Sequence, residues 1–386
     1  MRLPHCAVDL AALARRRGRV LACLLLVLLL LLVLNRHHWL RESDHPPGHC
    51  TAWLDRHYPA LPPERARAAL LAARPPAAAP GSSSNSLPFY DLIMVVPSGG
   101  VEGRLRRGAV RAAFAASLAL VPWASARLLF IVAPGSALSE AEPDMVPAPG
   151  CAEHDAGAEP ASGSSTTCKV LAALVHVASR YRTHFFVRTG DDAHFRVDQF
   201  LLRVAPAHVG AERTPAQRNL VLGNWFTPSA GNPANNLEQG YLKEAYGLGG
   251  WPRYPSGMGY IYGGGVAQGL AALHAAVGLN DGFPEDGVSG LWVAGLSTTS
   301  VTRVHTPCFY NYNRLENSAS CRDDGLLVHY MTPYTWALVD ARGRLPTHCG
   351  EGAGLQCPQA EGEERRACQQ REQEQQGLPR QQHAGR

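Results

Sequence analysis

The chain has 386 residues, of which 46% are hydrophobic, and a formal net charge of +4. An apolar N-terminal run and two biased stretches leave roughly 260 residues to fold, enough for one large α/β domain with its own core. The arginines are scattered or sit beside the apolar run, so nothing in the charge marks nucleic acid as a partner.

Residues 1–19 close with Arg15, Arg16, Arg17 and Arg19, and every residue from Val20 to Leu34 is apolar. Fifteen residues span about 22 Å as a helix, slightly short for a bilayer. A cleaved signal peptide calls for small residues after the run. Asn35, Arg36, His37, His38 and Trp39 follow instead, which suits an uncleaved anchor over 20–34. The preceding arginines assign 1–19 to the cytoplasm by the positive-inside rule, a type II orientation. Residues 35–87 are rich in proline and read as a stem, with one helix near Arg65–Arg74.

The folded domain is expected over 88–349. Buried-strand runs occur at Leu92–Val96, Arg127–Ala133 and His184–Arg188, with further strands at Leu220–Trp225 and Tyr260–Tyr262. Helical spacing appears at Val110–Leu120, Val170–Ser179, Val266–Val277 and Val288–Leu296. This alternation predicts a mainly parallel sheet with helices on both faces. Ala141–Thr167 reads as a surface insertion, and 350–386, rich in Gln, Glu and Arg, as a disordered tail. Eight cysteines lie beyond the apolar run. In an oxidising lumen they form disulfides whose pairing is open, with buried thiols as the alternative. There is no Asn-x-Ser/Thr sequon.

Four short segments carry candidate chemistry. Phe185-Phe186-Val187-Arg188-Thr189-Gly190-Asp191-Asp192 is an apolar strand that ends in two carboxylates. Open α/β sheets bind ligands at such strand ends, and paired oxygens suit Mg²⁺ or Mn²⁺ holding a diphosphate. The competing reading is a solvated turn. Glu285-Asp286 opens a helical run, where Asp is either a helix cap or a general base. His329 ends the strand-like run from Leu326, as a structural residue or a ligand. Tyr254-Pro255-Ser256-Gly257-Met258-Gly259-Tyr260 is a Gly-rich turn whose glycines allow close backbone approach.

In order and spacing these segments resemble the family of β1,3-galactosyltransferases, β1,3-N-acetylglucosaminyltransferases and Fringe-like enzymes. The resemblance begins at Arg106-Arg107-Gly108-Ala109-Val110-Arg111 and continues at Gly190-Asp191-Asp192-Ala193-His194-Phe195. It then takes in Trp251 to Tyr260, Glu285-Asp286-Gly287-Val288-Ser289-Gly290 and Val328-His329-Tyr330. Gly190 replaces the first aspartate of the family's triplet, Pro255 its cysteine, and Gly287 displaces its valine. The context Gly190-Asp191-Asp192 with Phe195-Arg196-Val197 also resembles protozoan members that build phosphoglycans.

The resemblance implies the glycosyltransferase A fold, a Rossmann-like nucleotide-sugar-binding sheet, in a single luminal domain of a Golgi membrane protein. It implies inverting transfer of galactose from UDP-galactose in β1,3 linkage, or of GlcNAc from UDP-GlcNAc. The acceptor would be an oligosaccharide on protein, lipid or phosphoglycan. Asp192 and His329 would hold Mn²⁺ or another divalent cation, and Asp286 would be the base. Arg106, Arg107 and Arg111 would serve the nucleotide side or the fold, and Asp191 would lie near the ion on the cofactor side. Tyr254, Gly257 and Gly259 would line the donor or acceptor cleft, and Glu285 would be cofactor-binding. The altered triplet leaves an inactive luminal partner or chaperone of another transferase as the alternative.

Overall fold

The computed structural model describes residues 49–74, 87–133, 142–151, 165–209, 219–226, 251–279, 285–296, 301–311, 324–329, 331, 336 and 339–345. The expected cytoplasmic tail, anchor and C-terminal tail lie outside these residues, as do parts of the expected stem. No helix among the described residues is long and apolar enough to cross a membrane.

Burial on both faces builds the central sheet. Strand β1, Phe89–Pro97, has six consecutive buried residues, the pattern of a strand covered on two sides. Successive side chains point opposite ways. Leu92, Met94 and Val96 therefore join one core, and Ile93 and Val95 the other. Strand β2, Ala126–Val132, and the later β4, Arg182–Thr189, divide likewise: Phe130, Phe185 and Val187 face one side, and Ile131 and Phe186 the other. Helix α3, Gly100–Ala119, covers the first face through Val110 and Phe114, one helical turn apart. Three helices cover the second face. These are α4, Ser165–Arg180, α5, Gly264–Val277, and α6, Glu285–Gly295. Their contacts come from Val170, Leu174 and Val177, from Val266 and Leu270, and from Val288 and Trp292.

The remaining strands of this sheet are β3, Met145–Pro147, β6, Leu220–Phe226, β7, Tyr254–Gly263, and β8, Thr302–His305. The order is β3-β2-β1-β4-β7-β6-β8. Only β7 runs against its neighbours β4 and β6; the other pairings are parallel. The expected mixed α/β architecture with a mainly parallel sheet is what the structure shows. The chain leaves β1 toward β2 and β3 and returns to place β4 on β1's other side. The sheet order thus reverses between β1 and β4, where open α/β sheets form a crevice beyond their strand ends. A second sheet joins β5, Ala193–Phe195, β9, Phe309–Asn311, and β10, Leu327–His329, in the order β5-β10-β9.

Residues expected in the stem belong to the domain. Helix α1, His49–His57, and helix α2, Pro63–Ala73, bury Cys50, Leu54, Ala66 and Leu70. Arg74, at the end of α2, pairs with fully buried Asp91 of β1, and the Ser125 amide donates to the same carboxylate at 2.8 Å. The stretch read as an insertion begins with edge strand β3. Cys151 pairs with Cys168 at the start of α4, and Cys50 pairs with Cys308 between β8 and β9. These two pairings answer part of what the sequence left open. Cys321, Cys349, Cys357 and Cys368 lie outside the described residues.

A buried polar knot fixes the chain after β5. Arg196 pairs with Asp198 at 2.7 Å, and Ser117 of α3 donates to Asp198 at 2.7 Å. Burial works against the Asp198 charge, but Arg196, Ser117 and Gln199 outweigh it and hold the pKa below the usual 3.8. Because the folded pKa is the lower one, the stabilisation is complete above the unfolded value and fades as pH falls through the folded value. Asp198→Asn is expected to destabilise the domain by about 2 kcal/mol at neutral pH, the scale of hydrogen bonds to a charged group. The gap from wild type should shrink as pH falls below the usual carboxylate value of 3.8. Urea midpoints at several pH values measure it, and a pH-independent gap would exclude the charge as its origin.

Candidate active site

The reversal point between β1 and β4 gathers charge. Ser98 follows β1, and Asp191 follows β4 by two residues. Ser98 Oγ donates to Asp191 Oδ2 at 2.8 Å, and Arg106 Nη1 of α3 lies 3.3 Å from Asp191 Oδ1. Arg107 Nη1 donates to Ser98 Oγ at 3.2 Å, and Lys169 Nζ of α4 donates to the Ser98 carbonyl at 3.0 Å. Burial pushes the Asp191 carboxyl above its usual range; Ser98 and Arg106 offset this only in part. Three cations thus converge on one strand end, an arrangement that attracts an anionic ligand.

Asp192 turns to the second sheet. There β10 pairs antiparallel with β5 and sets His329 opposite Ala193. His329 Nε2 lies 3.4 Å from Asp192 Oδ1, and the Met331 amide donates to the Asp192 carbonyl at 2.7 Å. Burial opposes the Asp192 charge, but the His329 hydrogen bond and charge outweigh it and lower the pKa. Among the described residues no group of three His, Cys, Asp or Glu side chains forms a metal cage. One carboxylate and one imidazole facing each other fit a hard divalent ion held largely by substrate phosphates and water.

Gly190 shapes this pair. A Cβ on Gly190 would lie 2.5 Å from Asp192 Oδ1, closer than any real contact. The carboxylate therefore folds over the glycine, into space that a side chain at 190 would take. Gly190→Ala is expected to drive Asp192 away from His329. A crystal structure of the variant measures it; an unchanged 3.4 Å contact would refute the steric coupling.

The segment from Trp251 and the first turn of α6 form the other wall. Asp286 is half-buried in that turn, and its Oδ1 accepts from the Gly287 amide at 2.9 Å. A Cβ on Gly257 would touch Asp286 Oδ2 at 3.6 Å, so the backbone at 257 lies directly beside the candidate base. Gly259 packs tightly on β4, where a Cβ would fall 2.9 Å from the Arg188 carbonyl oxygen. Tyr254 packs on Gly290 of α6, where a Cβ would meet its own at 2.7 Å.

Beneath this wall Arg188 Nη2 pairs with Glu285 Oε2 at 2.8 Å, and the Tyr260 hydroxyl donates to Glu285 Oε1. Burial works against the Arg188 cation, but Glu285, Tyr260, Asp286 and Asp192 outweigh it and raise its pKa. Both Asp192 and Asp286 are thus within electrostatic reach of one guanidinium.

Of the residues singled out in the sequence, Arg106, Arg107 and Asp191 share one cluster, Asp192 and His329 a second, and Asp286, Gly257 and Glu285 a third. Arg111 stands apart: it pairs with Asp144 at 2.7 Å and with Glu142, and its guanidinium lies 4.9 Å from the Phe130 ring centroid. Glu285 is engaged at both carboxylate oxygens. Sequence reasoning passed over Ser98, Lys169 and Arg188. The available signal was a charge inside an apolar pattern: Lys169 precedes Val170 and Leu171 on a buried helix face, and Arg188 follows Phe185-Phe186-Val187.

No family model matches this chain, and no curated protein does. Among solved structures, the galactosyltransferase LgtC in complex with donor and acceptor sugar analogs aligns with 63% of this chain and 88% of its own. The identity is 10% and the TM-score 0.32. An active-site mutant of LgtC aligns over the same shares of the two chains, with 11% identity and a TM-score of 0.32.

Proposed function

We propose that this chain is an inverting hexosyltransferase. It moves galactose from UDP-galactose to a glycan hydroxyl in β1,3 linkage, in the Golgi lumen behind an anchor at 20–34. The observation that carries the reading is the meeting of the Asp192–His329 pair and Asp286 around Arg188, beside the reversal point of the sheet. The cations Arg106, Arg107 and Lys169 beside Asp191 supply the anion-attracting side. Asp192 and His329 would hold a divalent cation, which when bound would supply charge neutralisation for the donor's diphosphate.

In the reaction, Asp286 takes the proton of the acceptor hydroxyl as that oxygen bonds to the anomeric carbon. The bond from that carbon to the diphosphate breaks on the opposite face, and its electron pair leaves with UDP. Arg106 steadies the charge that develops there. UDP-GlcNAc is the second donor, and the acceptor is an oligosaccharide on protein, lipid or phosphoglycan.

Gly190 favours one competing reading, an inactive luminal partner of another transferase. UDP release by the purified protein from UDP-galactose and UDP-GlcNAc, with and without Mn²⁺, separates the two. Metal-dependent release that is lost in Asp192→Asn supports the transferase; no release from either donor supports the partner. Retention in carbonate-washed membranes tests the anchor.

A further inference from the structure

Arg188 sits in a strand that is otherwise apolar at this point. Phe185, Phe186 and Val187 are buried, and the arginine itself is only 6% exposed. Taking a cation and its partner out of water costs about as much as their attraction returns, and apolar residues of similar volume often serve stability as well or better. Stability therefore gives no reason for an ion pair here, whereas placement does.

A single guanidinium joins three segments. Its backbone belongs to β4, which ends one residue later, just before the turn of Asp191 and Asp192. Nη2 pairs with Glu285 Oε2 at 2.8 Å, in the first turn of α6 next to Asp286. Nη1 donates to the carbonyl of Gly257, whose missing Cβ would touch the Asp286 carboxylate at 3.6 Å. Tyr260, two residues beyond Met258 on β7, donates to the other Glu285 oxygen. Asp286 is thereby tied to Arg188 along its own helix through Glu285, and the Gly257 backbone that borders the space beside its carboxylate is held by the same guanidinium.

We propose that Arg188 and Glu285 are positioning residues that hold Asp286 in place relative to the Asp192 turn, and that Glu285 makes no contact with the donor. The inference rests on Asp286 acting as the base in the proposed transfer reaction.

The test is the full-length paired variant Arg188→Met with Glu285→Met, which leaves no unpaired charge in the core. Its kcat is expected to fall about 10²-fold, the loss that a displacement near 1 Å produces. Donor KM should stay within about twofold, because the interaction lost is felt only in the transition state. Arg188→Lys, which retains the charge and one donor, should recover part of the rate. A crystal structure of the paired variant should show the Asp286 carboxylate shifted from Gly257. Wild-type kcat in the paired variant overturns the proposal. So does a donor KM raised about tenfold with kcat retained, which assigns Glu285 to the donor. A fall in melting temperature with unchanged kcat in the folded fraction leaves a structural role only, and also overturns it. Should the wild type turn over no UDP-sugar, the base assignment fails on its own. The crystal structure then decides, and an unmoved Asp286 overturns the positioning role.

Discussion

Asp286→Asn is expected to lower kcat for UDP-sugar transfer by about 10³-fold, the usual loss when a positioned base is removed. The substitution separates the two roles open to this residue. Asp286 Oδ1 accepts from the Gly287 amide at 2.9 Å, and an asparagine oxygen can accept the same bond. The helix start therefore survives in the variant, and its melting temperature should stay close to wild type. Proton uptake does not survive, because an amide oxygen is too weak a base. Donor KM should change little, since binding of the nucleotide sugar does not need this proton acceptor. Wild-type turnover in Asp286→Asn would sink the base and leave a local role in the first turn of α6. Asp286→Ala completes the comparison by removing both roles, so melting temperature and kcat should fall together.

Gly264→Ala is expected to carry the largest stability loss of any single methyl addition at a described glycine. Gly264 opens α5 directly against β4, and a Cβ there would lie 1.9 Å from the Thr183 carbonyl oxygen and 3.1 Å from its carbon. Both are backbone atoms of a central strand, so no rotamer change relieves the overlap. Either α5 lifts from the sheet or β4 bends, at a penalty of about 3 kcal/mol and a fall of about 10 °C in melting temperature. Gly265→Ala is the matched control. Its Cβ would meet Asn219 Oδ1 at 2.5 Å, the end of a side chain that can rotate, so the loss should stay below about 1 kcal/mol. Thermal melts of the two variants decide it. Equal melting temperatures would mean that α5 does not press on the strand as closely as the structure has it. Activity should fall with stability in Gly264→Ala, because the strand it displaces carries Arg188.

The central strands were legible because burial on both faces leaves a mark that survives in one dimension. Leu92–Val96 and Phe185–Val187 are unbroken apolar runs, and each became a sheet centre. Helix α1 left no such mark; the sequence places α2 as a helix near Arg65–Arg74, but in a stem and not in the domain. Cys50 and Leu54, and Ala66 and Leu70, are each a helical turn apart, but alanine, arginine and proline surround them and the stretch looked like a linker. Strands β3 and β9 each have three residues, too few to show a period, whereas the strand-like run from Leu326 to His329 became β10.

The residues that the candidate site brings together could be picked out where a motif held them and not where only tertiary contacts do. Asp191, Asp192, Asp286 and His329 could be named from order and spacing. Arg188 could not be assigned a role, because its partner Glu285 lies far along the chain and only the fold brings them together. For Arg111 the sequence left the nucleotide side and the fold both open, and Asp144 and Glu142 hold its guanidinium. Gly190 read as a lost ligand, while its effect in three dimensions is to leave room for the Asp192 carboxylate.

Cys50 and Cys308 are 258 positions apart, and their bond encloses almost every element that contributes to the site. A protease that nicks a loop anywhere between them would not release a fragment. The two halves would run as one band without reductant and separate only when the bond is reduced. Loss of any segment between Cys50 and Cys308 by cleavage would therefore require cuts at two places, or a reducing step as well.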